Sequence, residues 1–405
     1  MPSAVGRGCP LKRYPSAPRV AVIGGSLGGL MAAVALRNAG CAVDVYERVP
    51  QRLQAHGAGL RIVPEMAQLL QQRAGIDLKD VSTVTQWFRH IGDGNRVIAN
   101  LPIRGQFTSW ASLHRALSAA FDPACYHLGH ACTDIDQRDD AITVQFAGGR
   151  SETVDLVVFA DGILSTGRRL LAPETPVSYV GYVAWRGFAP ASALSAETRA
   201  ALSDAVTYVV PPYSHALVYA IPDAGGREPA LYNFVWYRNV AEGEPLDAMM
   251  TDRAGTRRAI SVPAGMLQDR HVAQIKSDAA ALLAPAAAEV VAQTREPFIQ
   301  ALFDVEVPRM AYGRACMIGD AAFATRPHAG AATTKAAVDA WALADRLRES
   351  GGDVPAALAA WEPQQLEVGR TFLARNRFTG QLSLVENRFD PADPAIQPGL
   401  YAPGR

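Results

Sequence analysis

The sequence has no surplus of charge of either sign: 39 lysines and arginines balance 39 aspartates and glutamates over 405 residues. A chain without a basic excess lacks the electrostatic footprint of a nucleic-acid binder or of a protein drawn to anionic lipid. It also lacks any run of 18 or more uncharged apolar residues, so no membrane-spanning helix is expected. Cysteine is scarce and odd in number, five with no Cys-x-x-Cys pair, which argues against a disulfide framework and fits a reducing cytoplasm. Residues 1–18 scatter Arg7, Lys12 and Arg13 among prolines, glycines and serines without the apolar stretch of a secretion signal, and a flexible tail is expected there. Metal-type side chains do cluster at Cys125, His127, His130 and Cys132. The three-residue step from His127 to His130 turns the second pair away on an extended strand, so no metal site is expected.

What the chain does have is apolar mass, 49% of its residues, and a glycine turn placed where chemistry can use it. Val20 to Ile23 is a short apolar run of buried-strand type, followed at once by Gly24, Gly25, Ser26, Leu27, Gly28 and Gly29. Leu30 to Leu36 favours helix, Gly40 stands where a helix C-terminal glycine belongs, and Ala42 to Tyr46 reads as a second strand ended by Glu47. A strand, a tight turn, a helix, a parallel strand and an acid about 20 residues beyond the turn make a dinucleotide-binding unit. Glycines let backbone N–H groups and the positive end of a helix approach a pyrophosphate, and the acid accepts ribose hydroxyls. Ser26 replaces the middle glycine of the usual pattern.

The strand-then-turn pattern recurs twice. Leu156 to Ala160 runs into Asp161 and Gly162, and Cys316 to Ile318 runs into Gly319 and Asp320, with Pro327 and Gly330 ahead of an alanine-rich helix that begins near Thr333. An Asp-Gly pair alone is an ordinary turn signal. Between these motifs, 81–107 reads as an inserted hairpin, Trp110 to Ala120 as a helix, and Ala131 to Phe146 and Thr153 to Phe159 as strand.

The order and spacing of the three motifs resemble those of single-component, FAD-dependent aromatic hydroxylases. Within that family GYVAWRGF (181–188), YNFVWYRNV (232–240), SVPAG (261–265) and GDAAFATRPH (319–328) are similar to the dihydroxypyridine-type branch. The resemblance implies an α/β fold: a Rossmann-like FAD-binding domain, a parallel sheet with helices, interleaved with a smaller mixed or antiparallel β-sheet substrate domain and C-terminal helices. The boundaries expected are 19–80, 108–172 and 291–348 for the FAD-binding parts, 81–107 and 173–290 for the substrate domain, and 349–405 for the C-terminal region.

The resemblance also implies cofactor contacts at Gly24, Gly25, Ser26, Leu27, Gly29, Glu47 and Arg48 for the ADP half of FAD, and at Asp161 and Gly162 near the pyrophosphate. Gly319 and Asp320 would meet the ribityl chain, and Pro327, Gly330, Ala331 and Ala332 the isoalloxazine. Many members of the family carry His at the position of Phe323, Gly at Ala332 and Asn at Thr334; the dihydroxypyridine branch shares the Phe. NADH, or NADPH, and O2 are the implied co-substrates.

For the substrate, Trp185, Tyr213, Tyr219 and Phe234 are candidate contacts, although Trp185 also reads as core. Arg186 needs an anionic partner or a ring to stack on, and Phe298 and Phe303 are candidate pocket walls. Arg186, His215 and His328 are the catalytic candidates, with His328 expected to titrate near neutrality and to deprotonate the substrate. Lys335, early in the last helix, is a candidate flavin contact.

The activity expected is hydroxylation of an electron-rich aromatic ring, foremost a hydroxypyridine-type heterocycle. Decarboxylative hydroxylation, epoxidation or ring oxidation of a phenolic or natural-product substrate is the alternative, and a non-catalytic flavin-carrying module the distant one. A small aromatic partner is expected, without nucleic acid or membrane, and a homodimer is left open.

Overall fold

A computed structural model describes residues 17–51, 59–222 and 229–401. Most of the expected N-terminal tail lies outside them.

The apolar run after Arg19 forms the central strand Arg19–Ile23, buried from Val20 onward. It pairs in parallel with Ala42–Glu47 on one side and Leu156–Phe159 on the other. Ala315–Met317 and Tyr126–Leu128 extend this sheet in parallel, and the short antiparallel strand Ala311–Tyr312 makes six. Strands with apolar residues on both faces need cover on both faces. Helix Leu27–Asn38 supplies one layer, backed by helix Ala332–Glu349. Their close approach relies on small residues: a Cβ on Gly28 would lie 3.3 Å from the Ala336 methyl. Helix Leu27–Asn38 ends as its sequence says, with Gly40 at φ +95° just past the C-terminus.

A second sheet has nine strands: Ser261–Val262 at one edge, then Phe298–Asp304, Ser178–Pro190, Pro229–Asn239, His215–Pro222, Ala205–Val209, Ser82–Ile91, Val97–Ser109 and Gly59–Arg61. Successive side chains on a strand face opposite ways. Val183, Trp185, Phe234 and Trp236 face one side, into a core shared with helices Asp269–Leu282 and Pro285–Gln293. Arg186, His215, Leu217, Tyr219, Val235, Tyr237, Gln300 and Leu302 face the other side, toward the parallel sheet. Helix Val354–Gly380 then crosses behind, and its glycines admit large neighbours: Gly369 leaves room for the Phe323 ring. Among the described residues no helix is long and apolar enough to cross a membrane.

Candidate active site

The three glycine-acid turns follow the C-terminal ends of neighbouring parallel strands, where open α/β sheets hold their ligands. All three border one cavity of about 770 Å³ between the two sheets. Gly24, Ser26, Leu27, Glu47, Arg48, Asp161, Gly162, Gly319, Asp320, Pro327, Gly330, Ala331 and Ala332 line it, and so do Arg186, His215, Tyr219 and His328.

The first turn is built by backbone crossings. Gly24 has φ +105°, and a Cβ there would lie 2.5 Å from the Ala160 carbonyl oxygen. A Cβ on Gly29 would lie 1.8 Å from the carbonyl oxygen of Gly24. These glycines therefore let the helix start close against the strand and let the first and second motifs touch. Gly25 and Gly29 do not border the cavity, contrary to the expected cofactor contact, because both are spent on the turn itself. The Gly25 N–H donates to Glu47 Oε2 at 2.8 Å, and its carbonyl accepts from the Tyr126 hydroxyl at 2.8 Å. Glu47 Oε1 accepts from the Val49 N–H at 3.0 Å, so the acid both braces the glycine turn and borders the cavity. Ser26 precedes helix Leu27–Asn38 without capping it, and no acidic residue occupies the first helical turn. That end of the helix suits an anion.

The second and third turns are tied to each other. Asp161 Oδ2 accepts from the N–H groups of Thr166 (2.7 Å) and Gly167 (3.3 Å), while its buried Oδ1 has no partner among the described residues. Burial raises its carboxyl above the ordinary range, against the pull of these hydrogen bonds. Arg168, on the short helix that follows, donates to the Ala321 carbonyl at 3.0 Å and so links the second turn to the third. Asp320 is open to the cavity but enclosed by its walls, and this pushes its carboxyl up to about 6, with Arg168 and Lys335 pulling the other way.

The wall formed by the nine-stranded sheet has different chemistry. Among the described residues the carboxylates bordering the cavity are Glu47, Asp161 and Asp320, all at or just beyond the C-terminal ends of strands of the parallel sheet. Arg61 and Arg186 border it from the other sheet, and neither makes a hydrogen bond or ion pair among the described residues; the buried Arg186 Nε has no partner. Burial lowers Arg61. Around them stand Tyr208, Tyr219 and Tyr237, with the His215 ring 4.6 Å from Tyr237 and 5.2 Å from His328. His215 is 2% exposed and its Nδ1 lies 2.6 Å from Ser383 Oγ. Burial drives His215 down to about 3, and burial together with His215 and Arg326 drives His328 well below the usual imidazole value. Burial disfavours the charged form of both rings, which runs against the expectation that His328 titrates near neutrality, and among the described residues no carboxylate pairs with either ring.

The substrate candidates divide by strand parity. Tyr219 borders the cavity, whereas Trp185 and Phe234 face the helix-covered core, one residue out of phase with Arg186 and with Val235. Tyr213 is 53% exposed at a turn with φ +52°, its N–H donating to Asn387. On strand Phe298–Asp304 it is Gln300 and Leu302 that reach the cavity, while Phe303 packs against Tyr179. Lys335 is not at the cavity either; its Nζ lies 2.5 and 2.7 Å from the Asp339 oxygens in the core. Thr334 is turned inward, its hydroxyl toward the Met66 sulfur. At the zinc-like stretch, His127 pairs with Asp44 at 2.8 Å. Sequence reasoning missed Arg61, Tyr237 and Phe389, the last stacked 4.3 Å from His215. An arginine between apolar residues in GLRIV was the available signal for Arg61.

A flavin dinucleotide fits these walls. The uncapped helix end and the glycine turn take a diphosphate, the unpartnered Asp161 Oδ1 marks a place for a hydroxyl donor, and the aromatic wall takes a flat ring. A volume of about 770 Å³ lies within the roughly 300–1,000 Å³ typical of cofactor pockets.

Comparison with known proteins agrees with that geometry. A family described as FAD binding domain-like matches residues 179–304. The 2,6-dihydroxypyridine 3-monooxygenase of Paenarthrobacter nicotinovorans is 34% identical over 388 residues, 95% of this chain and 96% of that protein. The solved 2,6-dihydroxypyridine-3-hydroxylase of Arthrobacter nicotinovorans superposes with TM-score 0.88 at 33% identity, covering 95% of this chain and 97% of the other. Klebsiella pneumoniae HpxO, solved with FAD and uric acid, shares the fold at TM-score 0.77 and 22% identity, covering 91% of this chain and 89% of its own.

Proposed function

Because this chain belongs to the FAD-dependent aromatic-ring monooxygenases, we propose that its substrate is a hydroxypyridine-type heterocycle, hydroxylated at the expense of NADH and O2. The observation that carries the reading is the sheet-side wall of the cavity: Tyr208, Tyr219 and Tyr237 surround Arg61 and Arg186, and among the described residues no carboxylate from that sheet borders the space. Such a wall favours a flat ring bearing acidic oxygens, which hydroxypyridines possess.

FAD, when bound, supplies the electron transfer and oxygen activation. The protein's part is placement. Gly24, Ser26 and Leu27 with the helix end behind them hold the diphosphate, and Glu47 and Arg48 the adenosine side. Asp161 and Gly162 border the diphosphate from the second strand, and Asp320, beside Gly319, accepts the ribityl hydroxyls. Pro327, Gly330, Ala331 and Ala332 face the ring system. Helix Ala332–Glu349 starts there with no side-chain cap, so its N-terminus favours negative charge by about 0.3–1 kcal/mol. Arg186 and Arg61 orient the substrate's oxygens.

Purified holoenzyme given hydroxypyridines, hydroxybenzoates and phenols in turn is predicted to consume NADH fastest with a hydroxypyridine, yielding a product heavier by one oxygen in a one-to-one ratio. Consumption that ends only in peroxide for every hydroxypyridine, with stoichiometric product from a hydroxybenzoate, sinks the substrate class.

A second prediction concerns pH. Asp320, pushed up to about 6, is protonated below that value and then loses the charge that strengthens its acceptance from the ribityl hydroxyls. FAD affinity is expected to fall as pH drops through about 6, by up to about tenfold per pH unit, and Asp320→Asn to flatten the slope. For the apo protein the sign is opposite: a raised carboxyl contributes stability below the ordinary carboxylate value and loses it as pH rises through about 6. Fluorescence titration of FAD from acid to neutral pH decides it; a wild-type slope equal to that of the variant removes Asp320 from the ribityl site.

A further inference from the structure

His328 sits where three groups meet. A Cβ placed on Gly380, the last residue of helix Val354–Gly380, would lie 2.5 Å from the Tyr182 hydroxyl, 2.8 Å from an Arg326 guanidinium nitrogen and 3.1 Å from His328 Nε2. The bare glycine is what lets them converge. The Tyr182 hydroxyl lies 2.7 Å from His328 Nε2, and the Arg326 guanidinium lies over the Tyr182 ring at 5.7 Å while pairing with Asp304 at 3.1 Å.

The protonation of this chain follows from what each group can do. A guanidinium has five donors and no acceptor, so Arg326 never receives the tyrosine proton. With that cation beside its oxygen, Tyr182 turns its lone pairs to Arg326 and its proton to His328. Nε2 is then an acceptor, and a neutral imidazole that accepts at Nε2 carries its hydrogen on Nδ1. The neutral state is secured by burial and by the nearby Arg326 charge. His328 Nδ1 is buried and has no acceptor among the described residues, while the residue borders the cavity. A buried N–H left unmade costs free energy that an incoming acceptor recovers. Arg186, which borders the same cavity, has a second buried donor, Nε, without a partner among the described residues.

We propose that Arg326 and Tyr182 lock His328 as the Nδ1–H tautomer, so that His328 donates a hydrogen bond to an oxygen of the aromatic substrate instead of abstracting its proton. This rests on the reading that the cavity takes a hydroxylated aromatic. Tyr182 and Arg326 are positioning residues in it; neither needs to touch the substrate. The substrate arrives with its oxygen already an anion or a carbonyl, the form a donor pair stabilises.

The tautomer is read directly from the imidazole nitrogen resonances of 15N-histidine-labelled holoenzyme. Wild type is expected to show His328 with a protonated Nδ1 and a bare Nε2, and Tyr182→Phe to show Nε2–H. A protonated Nε2 or an imidazolium in wild type at neutral pH overturns the proposal. Binding then tests the donor role, with 2,6-dihydroxypyridine as probe on the oxidised holoenzyme without NADH. His328→Ala should weaken it about tenfold or more, and His328→Asn, whose amide N–H takes the place of Nδ1–H, should recover most of that loss. FAD affinity should stay within about twofold in both variants. Equal probe affinity in wild type and His328→Ala, or a loss the asparagine does not repair, overturns the donor role. If no hydroxypyridine binds while the Nδ1–H signal is present, it is the substrate class proposed above that fails, and the tautomer assignment stands.

Discussion

Gly29→Ala is expected to leave the protein without bound flavin and destabilised by about 3 kcal/mol or more. The added methyl has nowhere to go: its carbon would sit 1.8 Å from the Gly24 carbonyl oxygen and 2.9 Å from the carbon of the same group. Both are backbone atoms, so no rotamer change relieves the contact. Helix Leu27–Asn38 must slide outward, carrying its N-terminus away from the cavity and pressing its other face on Ala336. Gly40→Ala is the control, since φ +95° makes it strained while the space around it is open. It should cost about 1–2 kcal/mol and keep its flavin. Denaturant unfolding of apo protein and the FAD-to-protein ratio of purified samples give both readings. A Gly29→Ala protein that retains stoichiometric FAD would show that the turn does not depend on the crossing.

Lys335→Met should be nearly as damaging for a different reason. Lys335 and Asp339 are about 1% and 0% exposed, paired at 2.5 Å one turn apart on helix Ala332–Glu349. Asp339 also accepts the Gly319 N–H at 3.0 Å, which anchors the third cofactor turn to the helix. Removing the cation strands a buried carboxylate, at a cost of about 3–5 kcal/mol. The double change Lys335→Met with Asp339→Asn removes the charge and keeps an oxygen for Gly319, so it should recover more than half of the loss and most of the FAD affinity. A single variant as stable as wild type would mean that Asp339 is protonated and that the pair is not ionic.

Lys335 illustrates how a tertiary partner reassigns a residue. Its place early in the flavin-side helix suggested cofactor contact, but Asp339 four residues on, with Phe323 5.3 Å from the ammonium, holds it in the core. Gly25 is a similar case. Its place in the fingerprint is right, and its N–H goes to Glu47 because the two strand ends lie side by side. Phe234 shows a different failure, as does Trp185 as a substrate contact, although its other reading, as core, is where the structure puts it. Both were found on the correct strands, but a strand's two faces differ by a single residue, and which face meets the cavity depends on what the neighbouring helices cover.

What the sequence determined by itself is the local part: buried apolar strands, glycines where the backbone must cross or turn, an acid associated with each motif, and hence the three cofactor motifs and the parallel sheet that aligns them. Each of those signals acts over a few residues, so it is written in consecutive letters. Tertiary structure alone decided the ionisation and orientation of the side chains around the ring. Arg61, Arg186, His215, Tyr237 and His328 come from segments far apart in the chain, and whether an imidazole is neutral, or an arginine unpaired, depends on which groups folding leaves beside it and which it takes away.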